Sequence, residues 1–263
     1  MTYCVGMRLN SGLIFMSDTR TNAGVDNVSK FRKLFTWSVP GERVITIMTA
    51  GNLATTQAVI NLLEERSKIP DERRPTFLEA PTMFQVATIV GDTLKECVRH
   101  QAGEGPVSES PFSATLIVGG QIKGMEPRLF LVYPEGNFIE ASEETPFFQS
   151  GETKYGRPIL VRAFDPAMSM EAAVKLLYVS FDSTLKANLS VGLPLDMHVY
   201  TADTLEPGIQ RRIEPDDDYF NQISSVMVLL YRFRRSVTTR AHTRACARVS
   251  LSAQPEARWR WRS

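Results

Sequence analysis

The chain has few of the side chains that most often build hydrolytic or metal centres. Only three histidines (His100, His198, His242) and three cysteines (Cys4, Cys97, Cys246) occur in 263 residues. They have no metal-ligand spacing and the cysteine count is odd, so no metal, no cofactor and no disulfide framework are expected. A Ser-His-Asp or Cys-His triad is disfavoured too, with His198 in an apparent strand and His242 near the C-terminus. Also missing are an apolar run long enough to span a bilayer and the basic-then-apolar order of a signal peptide. The expectation is a cytoplasmic protein that does not engage a membrane.

Net charge is nearly absent, at +1, but it is unevenly spread. From Arg232 to Ser263 there are nine arginines and one acid, Glu256, which makes that segment +8 and residues 1–231 −7. The tail also breaks with the composition of the preceding chain, and apart from Trp259 and Trp261 it lacks aromatics at spacings suited to base stacking. Residues 232–263 are therefore expected to be a disordered basic appendage. Nucleic acid is not the expected partner, because the body is acidic. The whole chain is 43% hydrophobic and 22% charged, as in an ordinary soluble protein, and residues 1–231 are expected to form one large domain.

The periodicity gives strands, two helices, strands, two helices and closing strands. Tyr3, Val5, Met7 and Leu9 alternate with Thr2, Cys4, Gly6 and Arg8, and Asn10-Ser11-Gly12 turns the chain into a second strand ending at Ser17-Asp18. Strands are expected at 33–38 and 44–49, then a helix from about Asn52 to Arg66. Met83, Ala87, Val90, Leu94 and Val98 form one helical stripe. Strands follow near 112–119, 127–133 and 137–141, a short helix after Ser150-Gly151, and a longer one through Met170, Ala173, Leu177 and Phe181. Strands at 195–201 and 209–213 and a helix from Tyr219 to about Arg232 complete the series. Paired helices between groups of antiparallel strands imply an α+β fold of two stacked sheets, each covered on its outer face by helices.

What the sequence does have is a threonine behind its initiator. If Met1 is removed, which a small second residue permits, Thr2 carries both a hydroxyl and an α-amine. The amine's reference pKa of about 7.7 to 8.0 leaves part of it unprotonated at neutral pH, able to act as general base for the hydroxyl. The hairpin brings Asp18 to the same end as Thr2, with Lys33 further along. Cys4, away from the terminus, reads as a small buried filler.

Thr2, Ser17-Asp18-Thr19-Arg20, Phe31-Arg32-Lys33 and Thr49-Ala50-Gly51 follow the order and approximate spacing of proteasome β-type subunits, which are N-terminal-nucleophile hydrolases. The phrases Ser17 to Asp26, Ser150-Gly151-Glu152-Thr153-Lys154-Tyr155-Gly156 and Ser180-Phe181-Asp182-Ser183-Thr184 resemble more specifically Anbu, a bacterial branch related to HslV. The resemblance covers residues 2 to about 224 and implies a four-layer αββα sandwich. It also implies that Thr2 is the nucleophile, that Lys33 holds an ammonium beside it and that Asp18 fixes Lys33. Gly51 would offer a backbone N–H to the oxyanion. Ser150 and Gly151 would support the amine, while Asp182, Asn188 and Ser190 compete to complete its surroundings. By position, Thr21, Asn22, Phe31, Phe35, Thr49 and Leu53 resemble residues lining the substrate pocket, where the two Phe and the Leu would favour an apolar or aromatic side chain.

The resemblance further implies a homo-oligomer in a ring or open ring, acting on a peptide or protein substrate by peptide or isopeptide hydrolysis. An ATPase, or ATP-grasp and transglutaminase-like enzymes, are the implied pathway partners. A noncatalytic proteasome-like scaffold is the alternative. It fits less well because strand character begins at residue 2 and Asp18 and Lys33 are present.

Overall fold

The computed structural model describes residues 2–22, 28–68, 75–102 and 111–226. The expected tail, 232–263, lies outside the described residues. One sheet has the order β10-β1-β2-β11-β12: β1 Tyr3–Leu9, β2 Gly12–Asp18, β10 Phe147–Gly151, β11 Leu195–Thr201 and β12 Ile209–Ile213. The other has the order β5-β6-β7-β8-β9: β5 Leu34–Val39, β6 Arg43–Gly51, β7 Ala114–Ile122, β8 Arg128–Val132 and β9 Phe138–Glu140. A small ribbon pairs β3 Arg20–Asn22 with β4 Val28–Lys30. The helices are α1 Leu53–Lys68, α2 Met83–Ala102, α3 Arg157–Ala163, α4 Met170–Ala187 and α5, residues 218–226. None of the described helices is long and apolar enough to cross a membrane.

Alternation along the strands builds the layers. Tyr3, Val5, Met7 and Leu9 of β1 bury against Leu177 and Phe181 of α4, while Cys4 joins Phe15, Met48 and Ile117 between the sheets. In β6, Ile45 and Ile47 meet Val59, Leu63, Val86 and Val90 of α1 and α2, and Val44 and Met48 face the other sheet. Apolar side chains on both faces of each sheet leave both with two surfaces to cover, which only a helix layer on each outer side satisfies. This is the αββα sandwich the sequence implied.

The strand ends position the site. Leu9 pairs with Gly12 across a two-residue turn, so β1 and β2 run back to the same end, where Cys4 faces Ser17. On the other flank β10 pairs Gly151 with Tyr3. Thr2 is thus bracketed by Asp18 from β2 and Gly151 from β10.

Candidate active site

Thr2 lines a cleft of about 450 Å³ with Thr21, Lys33, Thr49, Gly51, Leu53 and Gly151, and with Ala50, Asn52 and Thr56 beside them. Lys33 lies just before β5, with its side chain only 5% exposed. Its Nζ donates to Asp18 Oδ1 at 2.8 Å and to the Arg20 carbonyl at 2.6 Å. Asp18, fully buried at the end of β2, also accepts from Tyr3 N at 2.9 Å through Oδ1 and from Arg20 N at 3.1 Å through Oδ2. Burial pushes the Asp18 carboxyl up, and the Lys33 ammonium with the Tyr3 and Gly192 amides pulls against it. A single carboxylate therefore ties the ammonium to the residue next to Thr2.

Gly51 ends β6 and precedes the N-terminus of α1, with φ at +117°. A Cβ there would stand 2.6 Å from the Ser113 carbonyl, so the position takes only glycine. Asn52 follows and caps α1, its Oδ1 accepting from Thr55 N at 3.1 Å. The strand-to-helix turn sets a backbone segment against the cleft beside a helix N-terminus, where developing negative charge is favoured.

Gly151 takes φ of +87°, and a Cβ on it would meet Thr2 O at 2.0 Å. Ser150 is buried opposite Cys4 in the β1–β10 ladder. Tyr3, next to Thr2, has its hydroxyl 2.7 Å from Ser180 Oγ, which donates to Gly156 O at 3.1 Å. Burial pushes the Tyr3 phenol upward, so it stays protonated. The motif residues 150–156 and 180–184 thus meet around the first strand.

Of the residues read from the sequence as lining a substrate pocket, Thr21, Thr49 and Leu53 lie on this cleft. Phe31 and Phe35 do not. Leu34 turns toward the inter-sheet core, so alternation sends Phe35 to the helix side, where it stacks on Trp37 at 6.2 Å between centroids. Phe31 sits between β4 and β5 and is 36% exposed. The side chain of Asn22, at the end of β3, lies outside the described residues. Asp182 pairs with Lys186 at 2.9 Å along α4, and Ser190 N donates to Asn188 Oδ1 at 3.0 Å; neither Asp182 nor Ser190 lines the cleft. Sequence reasoning assigned no part to Glu152, Asn52 or Thr56. The Glu152 carboxyl is desolvated by burial, yet the Lys154 amide, the Asn188 side chain and the Thr153 amide hold it below the usual carboxylate range. A larger groove of about 870 Å³ opens at the opposite end of the strands, around Arg8, Asn10 and Met125, and none of the expected catalytic residues lines it.

A family model described as "Proteasome subunit" matches residues 2–194. Anbu (ancestral beta-subunit) from Yersinia bercovieri is 42% identical, covers 92% of this chain and 99% of its own, and superposes with a TM-score of 0.82. The chain belongs to the proteasome subunit family, in its Anbu branch. Anbu from Hyphomicrobium sp. strain MC1 gives 47% identity, coverage of 89% and 97%, and a TM-score of 0.81. The helical assembly of the Anbu complex from Pseudomonas aeruginosa gives 41%, 94% and 100%, and 0.81. A proteasome subunit beta from Haloquadratum walsbyi is 24% identical over 206 residues, 78% of this chain and 75% of the relative.

Proposed function

We propose that this chain is a threonine-type peptidase or amidase that hydrolyses peptide or isopeptide bonds with Thr2 as N-terminal nucleophile. The observation that carries the reading is Lys33, an ammonium with a 5% exposed side chain, fixed by Asp18 and the Arg20 carbonyl on the wall of the cleft that Thr2 lines. A buried ion pair stabilises a fold no better than apolar packing would. A scaffold has no need of one at a cleft, whereas a hydroxyl nucleophile gains from a fixed positive charge.

Removal of Met1 frees the Thr2 amine. Thr2 Oγ attacks the substrate carbonyl carbon as its proton passes to that amine, directly or through a water, and the carbonyl π pair moves to oxygen. The Gly51 N–H stabilises the resulting oxyanion. Collapse breaks the C–N bond, and the Thr2 ammonium protonates the leaving amine. Water then attacks the ester by the same route in reverse and releases the acid. Lys33 keeps the hydroxyl's developing negative charge favourable, and Asp18 keeps Lys33 in place.

The walls of Thr21, Thr49, Thr56 and Leu53 favour a small or medium side chain before the cleaved bond, narrower than the apolar or aromatic preference that Phe31, Phe35 and Leu53 implied together. The likeness to the Pseudomonas helical assembly supports a homo-oligomer. Residues 1–231 are proposed as the hydrolase domain, with a cytoplasmic location. Turnover of a panel of short fluorogenic amides tests the reading: T2A should be inactive and T2S partly active, since serine keeps both hydroxyl and amine. Turnover by T2A at the wild-type rate would overturn it.

A further inference from the structure

Glu152 is 3% exposed directly after β10, and the chemistry above gives its carboxylate no part. Both of its oxygens are nonetheless engaged within the protein. Oε1 accepts from Lys154 N at 2.6 Å and Oε2 accepts from Asn188 Nδ2. Asn188 is the C-cap of α4 and holds Ser190 N through Oδ1, so the carboxylate links the turn after β10 to the end of that helix. Charge-assisted bonds of this kind are about twice as strong as neutral ones.

The main chain of the same residue reaches Thr2. Glu152 N donates to Thr2 O at 2.7 Å, and Tyr3 N donates to Asp18 Oδ1 at 2.9 Å. These two bonds grip opposite edges of the Thr2–Tyr3 peptide, and the peptide is planar, so together they fix its orientation. Once Met1 is gone no preceding peptide restrains Thr2. Its amine and hydroxyl are then directed mainly from the carbonyl side.

We propose that Glu152 is a positioning residue: clamped by Asn188 and Lys154 N, it locks the turn after β10 so that its own amide aims Thr2 into the cleft. The inference rests on Thr2 being the nucleophile and deepens that reading. It also assigns Asn188, rather than Asp182 or Ser190, as the helix-end partner of the site. Misplacement of a nucleophile by about 1 Å can cost about a hundredfold in rate.

The test uses the full chain and a β-lactone probe, with two readouts: the rate of covalent labelling and the exchange protection of the amide at position 152. Glu152→Gln turns an NH2 toward one of two donors, so labelling should slow by about tenfold to a hundredfold and protection should fall. Asn188→Ala, which releases the clamp without altering Glu152, should act in the same direction and serves if the first variant folds poorly. The swap E152Q/N188D should restore both readouts. In it the new amide accepts from Lys154 N and donates to the new carboxylate, whose other oxygen keeps Ser190 N. Labelling of E152Q and N188A at the wild-type rate would overturn the proposal, whether or not protection changes. So would slower labelling with unchanged protection, or a swap that restores protection but not rate. If the wild-type chain takes no label at all, the nucleophile reading fails instead, and loss and return of protection alone then decide whether Glu152 locks the turn.

Discussion

Lys33 with Asp18, and His198 with Thr46, are both buried polar pairs, one at the strand ends beside the cleft and the other in the middle of the layer between the sheets. His198 Nε2 lies 2.8 Å from the Pro207 carbonyl, which can only accept, so that nitrogen carries the proton. Nδ1 therefore accepts from Thr46 Oγ1 at 2.8 Å. Stacked on Phe15 and away from solvent, the ring is neutral, its pKa pushed down to about 4 by burial. Every polar atom of the imidazole is satisfied without a charge. Lys33 and Asp18 are also buried, yet they form an ion pair, and Lys33 lines a cleft. A sealed neutral network is what folding alone requires. A buried charge at an opening points to chemistry.

The comparison breaks most visibly if one charge is removed. Lys33→Ala leaves Asp18 buried without its counter-ion, and chemical denaturation should show a loss of about 3 to 5 kcal/mol. Activity should nearly vanish with it. Loss of a positive charge beside the amine raises the amine's pKa, so any residual turnover should move to higher pH. Asp18→Asn combined with Lys33→Met should recover part of the stability and none of the turnover. Wild-type stability for Lys33→Ala would make the ion pair no different in kind from a surface contact.

His198 should respond to acid instead. Its folded pKa lies below the ordinary value of about 6.5, so its stabilising effect is complete above that pH and lost as pH falls toward about 4. The loss amounts to about 3 kcal/mol and should appear as a falling melting temperature across that window. H198Q should flatten this part of the profile while leaving labelling of Thr2 intact. A profile identical in wild type and variant would show that the ring is not the group being titrated. The smallest effect is expected from ending the chain after Phe233. Exposed ion pairs contribute about 0 to 1 kcal/mol each, so thermal stability, oligomer size and labelling should be unchanged. Dispersal of the oligomer by that truncation would make the basic segment an assembly contact.

The faces of β1 and the stripe of α2 were legible because burial repeats with the period of each element. Met83, Ala87, Val90, Leu94 and Val98 are all fully buried, and Tyr3, Val5 and Met7 share one core cluster. β10 was not legible. Phe147-Phe148-Gln149-Ser150-Gly151 is short, and adjacent Phe residues bury on opposite faces, so no alternation marks it as a strand. The three-residue strands β3 and β4 are shorter still. Phe35 lies off the cleft that Thr2 lines; Leu34 and Phe35 are both apolar, and pattern alone does not say which of them turns to the inter-sheet core. Glu152 was passed over because an acid after glycine normally belongs to a solvated turn. Its burial depends on Asn188, thirty-six residues away in sequence.

The most direct test of the central claim is the intact mass of the natively expressed chain before and after a β-lactone or epoxyketone probe. Thr2 as nucleophile predicts a chain lacking Met1 that gains one adduct, and no adduct on T2A. Retention of Met1 in the labelled fraction, or an adduct that persists in T2A, would contradict it.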